Sequence, residues 1–146
     1  MVVEVERTYR VEAPIEAVWE QIADPAVRAA AISVVDRFEQ RDEVTVWHIQ
    51  LPIPFVSSTI PVRTWDVEVD PPRYVKFVGE SRVMEVTGEH ELTEDAGMTS
   101  VRNKFVVDGK VPTVETFFKR NFDAEIERMK QHVLDGLDGD DPSTKP

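Results

Sequence analysis

From Val3 to Val11 apolar and polar residues alternate, with Val3, Val5, Tyr9 and Val11 on one side and Glu4, Glu6, Thr8 and Arg10 on the other. A period of two predicts a half-buried strand, whose apolar face is broken by Arg7. The period then changes. Ile15, Val18, Trp19 and Ile22 recur at helical spacing behind Ala13-Pro14, where proline suits a first turn and Glu16 suits the positive helix start. Asp24-Pro25 breaks this helix, and Ala26 to Ala31 predicts a second short one. Six more strands are predicted: Val34–Phe38, Val44–Leu51, Val62–Val69, Tyr74–Gly79, Met84–Thr93 and Thr99–Val107. Turn residues separate them at Gln40–Glu43, Asp70-Pro71-Pro72-Arg73 and Glu94-Asp95-Ala96-Gly97. Beyond Gly109 and Pro112, Val114, Phe117, Phe118, Phe122, Ile126, Met129, Val133 and Leu137 fall three and four apart. They predict a helix of about 22 residues, roughly 33 Å long, with Thr113 as N-cap and Gly136 as C-cap.

Short links between consecutive strands imply an antiparallel meander, and helices segregated from strands imply an α+β fold. One domain is expected over residues 1–137, followed by a polar, disordered tail over 138–146.

Strand register indicates which side chains face inward. If Leu92 pairs with Val101 across the Asp95-Ala96-Gly97 turn, then His90 opposes Asn103, Gly88 opposes Phe105 and Val86 opposes Val107. These share one face, and Glu85, Thr87, Glu89, Glu91, Arg102 and Lys104 take the other. Counting back from Asp70-Pro71-Pro72 pairs Val69 with Val75, Val67 with Phe77, Trp65 with Gly79 and Arg63 with Ser81. The expected inward wall is Trp47, Ile49, Trp65, Val67, Phe77, Met84, Val86, Phe105 and Val107, faced by Val114, Phe118, Phe122, Ile126 and Met129 of the long helix. Such residues form a core in any fold and equally line a ligand pocket.

The inward polar residues discriminate more. His90 and Asn103 can satisfy one another, or orient a ligand carbonyl or hydroxyl, with His90 as a general base. Arg63 suits a ligand carboxylate, or an acidic neighbour at the sheet end. The register of Arg7 and Asp36 is open. His48 and His132 are expected at solvent. The loop from Pro52 to Pro61 is apolar for a connection, so Phe55, Val56 and Ile60 suit a mouth, a transient membrane contact or an outer extension of the core.

Two stretches carry a family resemblance. One is the strand leading into Ala13-Pro14-Ile15-Glu16-Ala17-Val18-Trp19, Ile22 and Asp24-Pro25; the other runs from Gly88–Leu92 through Gly97-Met98-Thr99 to Val107-Asp108-Gly109-Lys110-Val111-Pro112 and the last helix. The order resembles the START-like (SRPBCC) superfamily of polyketide cyclases/dehydrases, lipid-transfer domains and birch-pollen-type allergens, over nearly the whole chain. The resemblance implies a helix-grip: a curved sheet wrapped around the C-terminal helix, enclosing a cavity for a lipid, sterol, quinone or polyketide. In a minority of members it implies cyclisation or dehydration.

Composition narrows the rest. The 28 acidic residues outnumber the 17 basic ones for a net charge of −11, and only six residues are Lys. Such a surface repels nucleic acid. It fits solubility in high salt, a halophilic trait, or steering of a cationic partner. The absence of cysteine excludes a disulfide framework and thiolate metal sites and fits a cytoplasmic location. No apolar run approaches a membrane span. No metal constellation, phosphate loop or nucleophile elbow points to a cofactor or to nucleophilic catalysis. Three readings remain: a carrier or sensor of a small hydrophobic ligand; a cyclase or dehydratase using His90, Asn103 and Arg63; and an interaction protein whose cavity is filled. For the first, the candidate binding residues are Trp47, Arg63, Trp65, Phe77, Met84, His90, Asn103, Phe105, Phe118, Phe122 and Ile126. Oligomeric state is open.

Overall fold

The computed structural model describes residues 2–51 and 58–139. The chain runs β1 (Val2–Val11), α1 (Ile15–Ala23), α2 (Pro25–Ala30), β2 (Val35–Arg41), β3 (Val44–Ile49), β4 (Ile60–Asp70), β5 (Tyr74–Glu80), β6 (Met84–Asp95), β7 (Met98–Gly109) and α3 (Pro112–Gly139). All strand pairs are antiparallel, in the order β1-β7-β6-β5-β4-β3-β2. The helices pack against the concave face of this open sheet. This is the expected α+β helix-grip architecture.

Caps explain the short helices. Pro14 offers no side-chain cap to α1, and Glu94 of β6 accepts from the Ile15 backbone N–H at 2.8 Å instead. A carboxylate at a helix start also meets the positive end of its dipole. Asp24 caps α2 through the Ala26 N–H at 2.9 Å, with Pro25 in the first turn. The helix α3 starts at Pro112, one residue before the expected cap. It then passes through Gly136 to Gly139, about 42 Å for its 28 residues. Gly136 is therefore no C-cap. A Cβ there would collide with the Gln21 side chain of α1, so the glycine allows the two helices to approach closely. The tail from 140 lies outside the described residues.

The β6–β7 hairpin has the predicted register, from Met84 opposite Gly109 to Asp95 opposite Met98. Its two-residue turn, Ala96 and Gly97, has φ of 54° and 81°, the left-handed geometry that matches strand twist. The β4–β5 hairpin departs from prediction. Val69 opposes Val75 as expected, but the register slips between Asp66 and Glu68, and Val67 is an extra, half-exposed residue. A one-residue bulge exchanges the faces of everything beyond it. Asp66 consequently opposes Phe77, Thr64 opposes Gly79, and Arg63 opposes Glu80. Trp65 and Arg63 therefore leave the concave face for the convex one, and Val67 leaves the wall. A second irregularity, between Val35 and Arg37, leaves Asp36 exposed.

Gly88 makes room for the Phe77 ring. A Cβ at Gly88 would overlap the Phe77 ring and approach Phe105 to 3.0 Å. Among the described residues, no helix is long and apolar enough to cross a membrane.

Candidate functional site

Beneath α3 lies a cavity of about 50 Å³. Trp47, Met84, Phe105, Phe118, Phe122 and Ile126 line it, as the sequence led us to expect, together with Ile49, Val86, Val107 and Met129 of the anticipated wall. Ile32, Val34 and Glu125 also border it and were missed. Val34 carried a signal, since it opens a predicted strand, but the segment just before it had no period that fixed a direction. The Glu125 carboxylate accepts from the Ser33 hydroxyl and, at 3.2 Å, from the Ser33 N–H. It thus joins α3 to the segment after α2 at the cavity's edge.

Three anticipated ligand residues, Phe77, His90 and Asn103, lie outside this cavity in a buried polar cluster next to it. His90 and Asn103 face inward across the hairpin and are 1% and 0% exposed. Their side chains join, His90 Nδ1 to Asn103 Oδ1, at 2.7 Å. The Asn103 amide NH₂ donates to the Arg7 and Val101 carbonyls at 3.3 and 3.2 Å. That fixes its oxygen toward His90, so the imidazole carries its proton on Nδ1 and Nε2 is a bare acceptor. Nε2 has no hydrogen-bond partner among the described residues. Burial pulls the His90 pKa down to about 4; Asn103 counters this and nearby Arg28 adds to it. The ring is neutral at pH 7.

Arg28 went unnoticed in the sequence. It stands alone among the alanines of α2, yet is only 7% exposed. Its Nη2 bonds Asp66 Oδ1 at 2.6 Å, and the guanidinium lies 5.2 Å from the Phe77 ring centroid. The bulge at Val67 is what turns Asp66 inward to meet it. Burial lowers the Arg28 pKa, Asp66 draws it back, and the group stays charged. Phe77 stacks on His90 at 6.2 Å and meets Trp47 edge-on at 5.7 Å and Phe105 at 6.2 Å.

The other candidates lie elsewhere. Arg63 is exposed on the convex side, 3.8 Å from Glu80, so it cannot hold a ligand in the groove. Trp65 is half-buried on that same side. Arg7 sits opposite Asn103, but its guanidinium extends to Asp123 of α3 at 2.7 Å. His48 and His132, expected at solvent, are both half-buried. His48 stands 3.6 Å from Glu39. Ile60 is buried in β4, while Phe55 and Val56 lie outside the described residues.

Solved structures share this architecture. A conserved protein from Geobacillus kaustophilus superposes with a TM-score of 0.77 at 14% identity, over 94% of this chain and 96% of that one. The Zhui aromatase/cyclase from Streptomyces sp. R1128 gives 0.64 at 19%, over 95% and 93%. Ara h 8.0201 gives 0.64 at 12%, over 92% and 99%. At these identities the likeness is one of fold. No curated protein matches the chain in sequence. The match that reaches beyond fold is to a family: residues 2–134 fit the one described as polyketide cyclase / dehydrase and lipid transport, and the chain belongs to it.

Proposed function

We propose that the protein binds a small apolar molecule, such as a lipid, quinone or polyketide, between the sheet and α3 as a carrier or sensor. The observation that carries this reading is the cavity beneath α3, walled by apolar side chains with a single carboxylate, already engaged by Ser33, at its edge. Its volume of about 50 Å³ admits a few water-sized groups, against ~300–1,000 Å³ for ligand pockets. Loading therefore requires the wall to move.

A cyclase or dehydratase is the second reading, favoured by the uncommitted Nε2 of His90. A neutral imidazole with a pKa of about 4 is a weak base, and its uncommitted Nε2 carries no proton to donate at pH 7. The carrier reading therefore comes first.

Native mass spectrometry of the purified chain and titration with a neutral naphthylamine dye test it. The expected result is a co-purifying mass or saturable fluorescence enhancement. Ile126→Trp, which fills the cavity, should abolish dye binding while Tm moves by less than about 5 °C. If no mass co-purifies and no dye binds, the cavity is only part of a packed core, and the interaction-protein reading replaces this one.

A further inference from the structure

The open sheet ends in two edge strands, and they differ. β2 has a register shift between Val35 and Arg37, and such irregularities keep an edge from pairing with another chain. β1 has no such device. Its residues pair one for one with β7 from Val2 to Val11, without a register shift and without proline, glycine or lysine. Among the described residues, no strand lies beyond it. Arg7 and Asp123, which join β1 to α3 at 2.7 Å, both keep exposed side chains.

Asn103 shows which backbone groups face out. Its amide NH₂ donates to the carbonyls of Arg7 and Val101, so both carbonyls lie in the gap between β1 and β7. Backbone groups of successive residues point to opposite sides of a strand. Glu6, Thr8 and Arg10 therefore turn their N–H and C=O groups outward. The exposed Arg7 guanidinium meets the Glu6 carbonyl there, at 2.8 Å.

The side chains indicate what fits this edge. Across the convex face, directly opposed residues alternate in sign from strand to strand: Glu68, Lys76, Glu89, Lys104 and Glu6. The row stops at β1 on a carboxylate, so a strand added beyond it should present a cation. Arg10 is such a cation, exposed and without an ion pair among the described residues. A second β1 laid antiparallel about a two-fold axis at Thr8 sets its Arg10 opposite Glu6, and its Glu6 opposite Arg10. Thr8 then faces Thr8, and Val5 faces Val11. The outward backbone groups bond one another, because these same three residues carry them. Neighbouring axes fail. One at Glu6 or Arg7 sets like charges together, and one at Tyr9 sets Glu6 against Glu12. Within β1, Glu4 and Glu6 are balanced by Arg7 and Arg10, in a chain of net charge −11. Two acidic copies can meet here without local repulsion.

We propose that two copies of the chain associate through their β1 edges, antiparallel about Thr8, joining two seven-stranded sheets into one. This pairing is independent of the ligand-binding reading.

Sedimentation equilibrium of the full chain, from about 1 μM to about 200 μM, tests it. The expected result is a mass that rises with concentration to twice that of the chain. Thr8→Pro removes an outward donor and leaves the bonds to β7 in place, so it should stay monomeric throughout. Arg10→Glu sets two carboxylates together in both halves and should weaken association at least about tenfold. Arg37→Glu, on the opposite edge, should leave it unchanged. A single-chain mass at every concentration overturns the proposal. So does a dimer that survives both Thr8→Pro and Arg10→Glu, since it is then built on another surface. If Thr8→Pro does not fold, Arg10→Glu decides, because Arg10 has no partner within the chain to lose.

Discussion

At one end of the groove, Trp47, Met84, Phe105 and Ile126 enclose about 50 Å³ and offer a ligand little beyond apolar contact. At the other, Arg28, Asp66, His90 and Asn103 gather charge and hydrogen-bonding groups around about 20 Å³. Met129 borders both cavities, and the Phe77 ring touches Trp47 of the first end and His90 and Arg28 of the second. Space and chemistry are thus built from different stretches of the same two strands, β6 and β7, completed by β3 and α3 at one end and by α2 and β4 at the other. The two ends are therefore open to separate alteration.

Removing the Phe77 ring tests the comparison most severely. Phe77→Ala should cost about 3–5 kcal/mol, read from urea unfolding, because the ring is buried and packed on four sides. If the chain still folds, both ends should loosen, because Trp47 and His90 lose the ring they share. Acid probes the polar end through His90. The folded His90 pKa of about 4 lies below its ordinary value of 6.5, so the unfolded chain takes up the proton first as pH falls. The stabilisation is complete above about pH 6.5 and is lost progressively down to about pH 4, in total about 3 kcal/mol. Comparing unfolding midpoints of the parent and His90→Phe across that window isolates this contribution from the carboxylates. Asn103→Ala strands the His90 N–H in the interior and should cost about 2 kcal/mol, leaving dye affinity at the apolar end within about twofold. Arg63→Ala should change stability by less than about 0.5 kcal/mol and binding not at all, since the side chain is on the convex face. A loss of binding there would return Arg63 to the groove and undo the register assigned to β4.

The apolar end was readable from the sequence. Strand and helix periods placed Trp47, Met84, Phe105, Phe122 and Ile126 because each lies on an element whose phase is uninterrupted. The same arithmetic paired His90 with Asn103, since a two-residue turn leaves no freedom in the β6–β7 ladder. It failed on β4. Val67 continues the alternation Trp65, Val67, Val69, and nothing in that pattern marks an inserted residue, so Trp65 and Arg63 were placed on the wrong face. The hidden bulge also concealed the polar end, because Asp66 then read as outward and Arg28 had no visible partner. A lone arginine in an alanine-rich helix was the available clue, but it does not say where the helix will dock.

The contact between Gly88 and Phe77 also constrains the routes by which this sequence can change. Any side chain at 88 collides with the Phe77 ring, so the glycine cannot be replaced first without strain. Trimming Phe77 first opens a hole that only a larger residue at 88 would fill. Each single step is harmful and the pair together is tolerable, so the two positions are expected to be strongly non-additive. A library that samples these sites one at a time would score both as immutable, whereas one that varies them jointly would recover folded combinations and, with them, new packings of this part of the core.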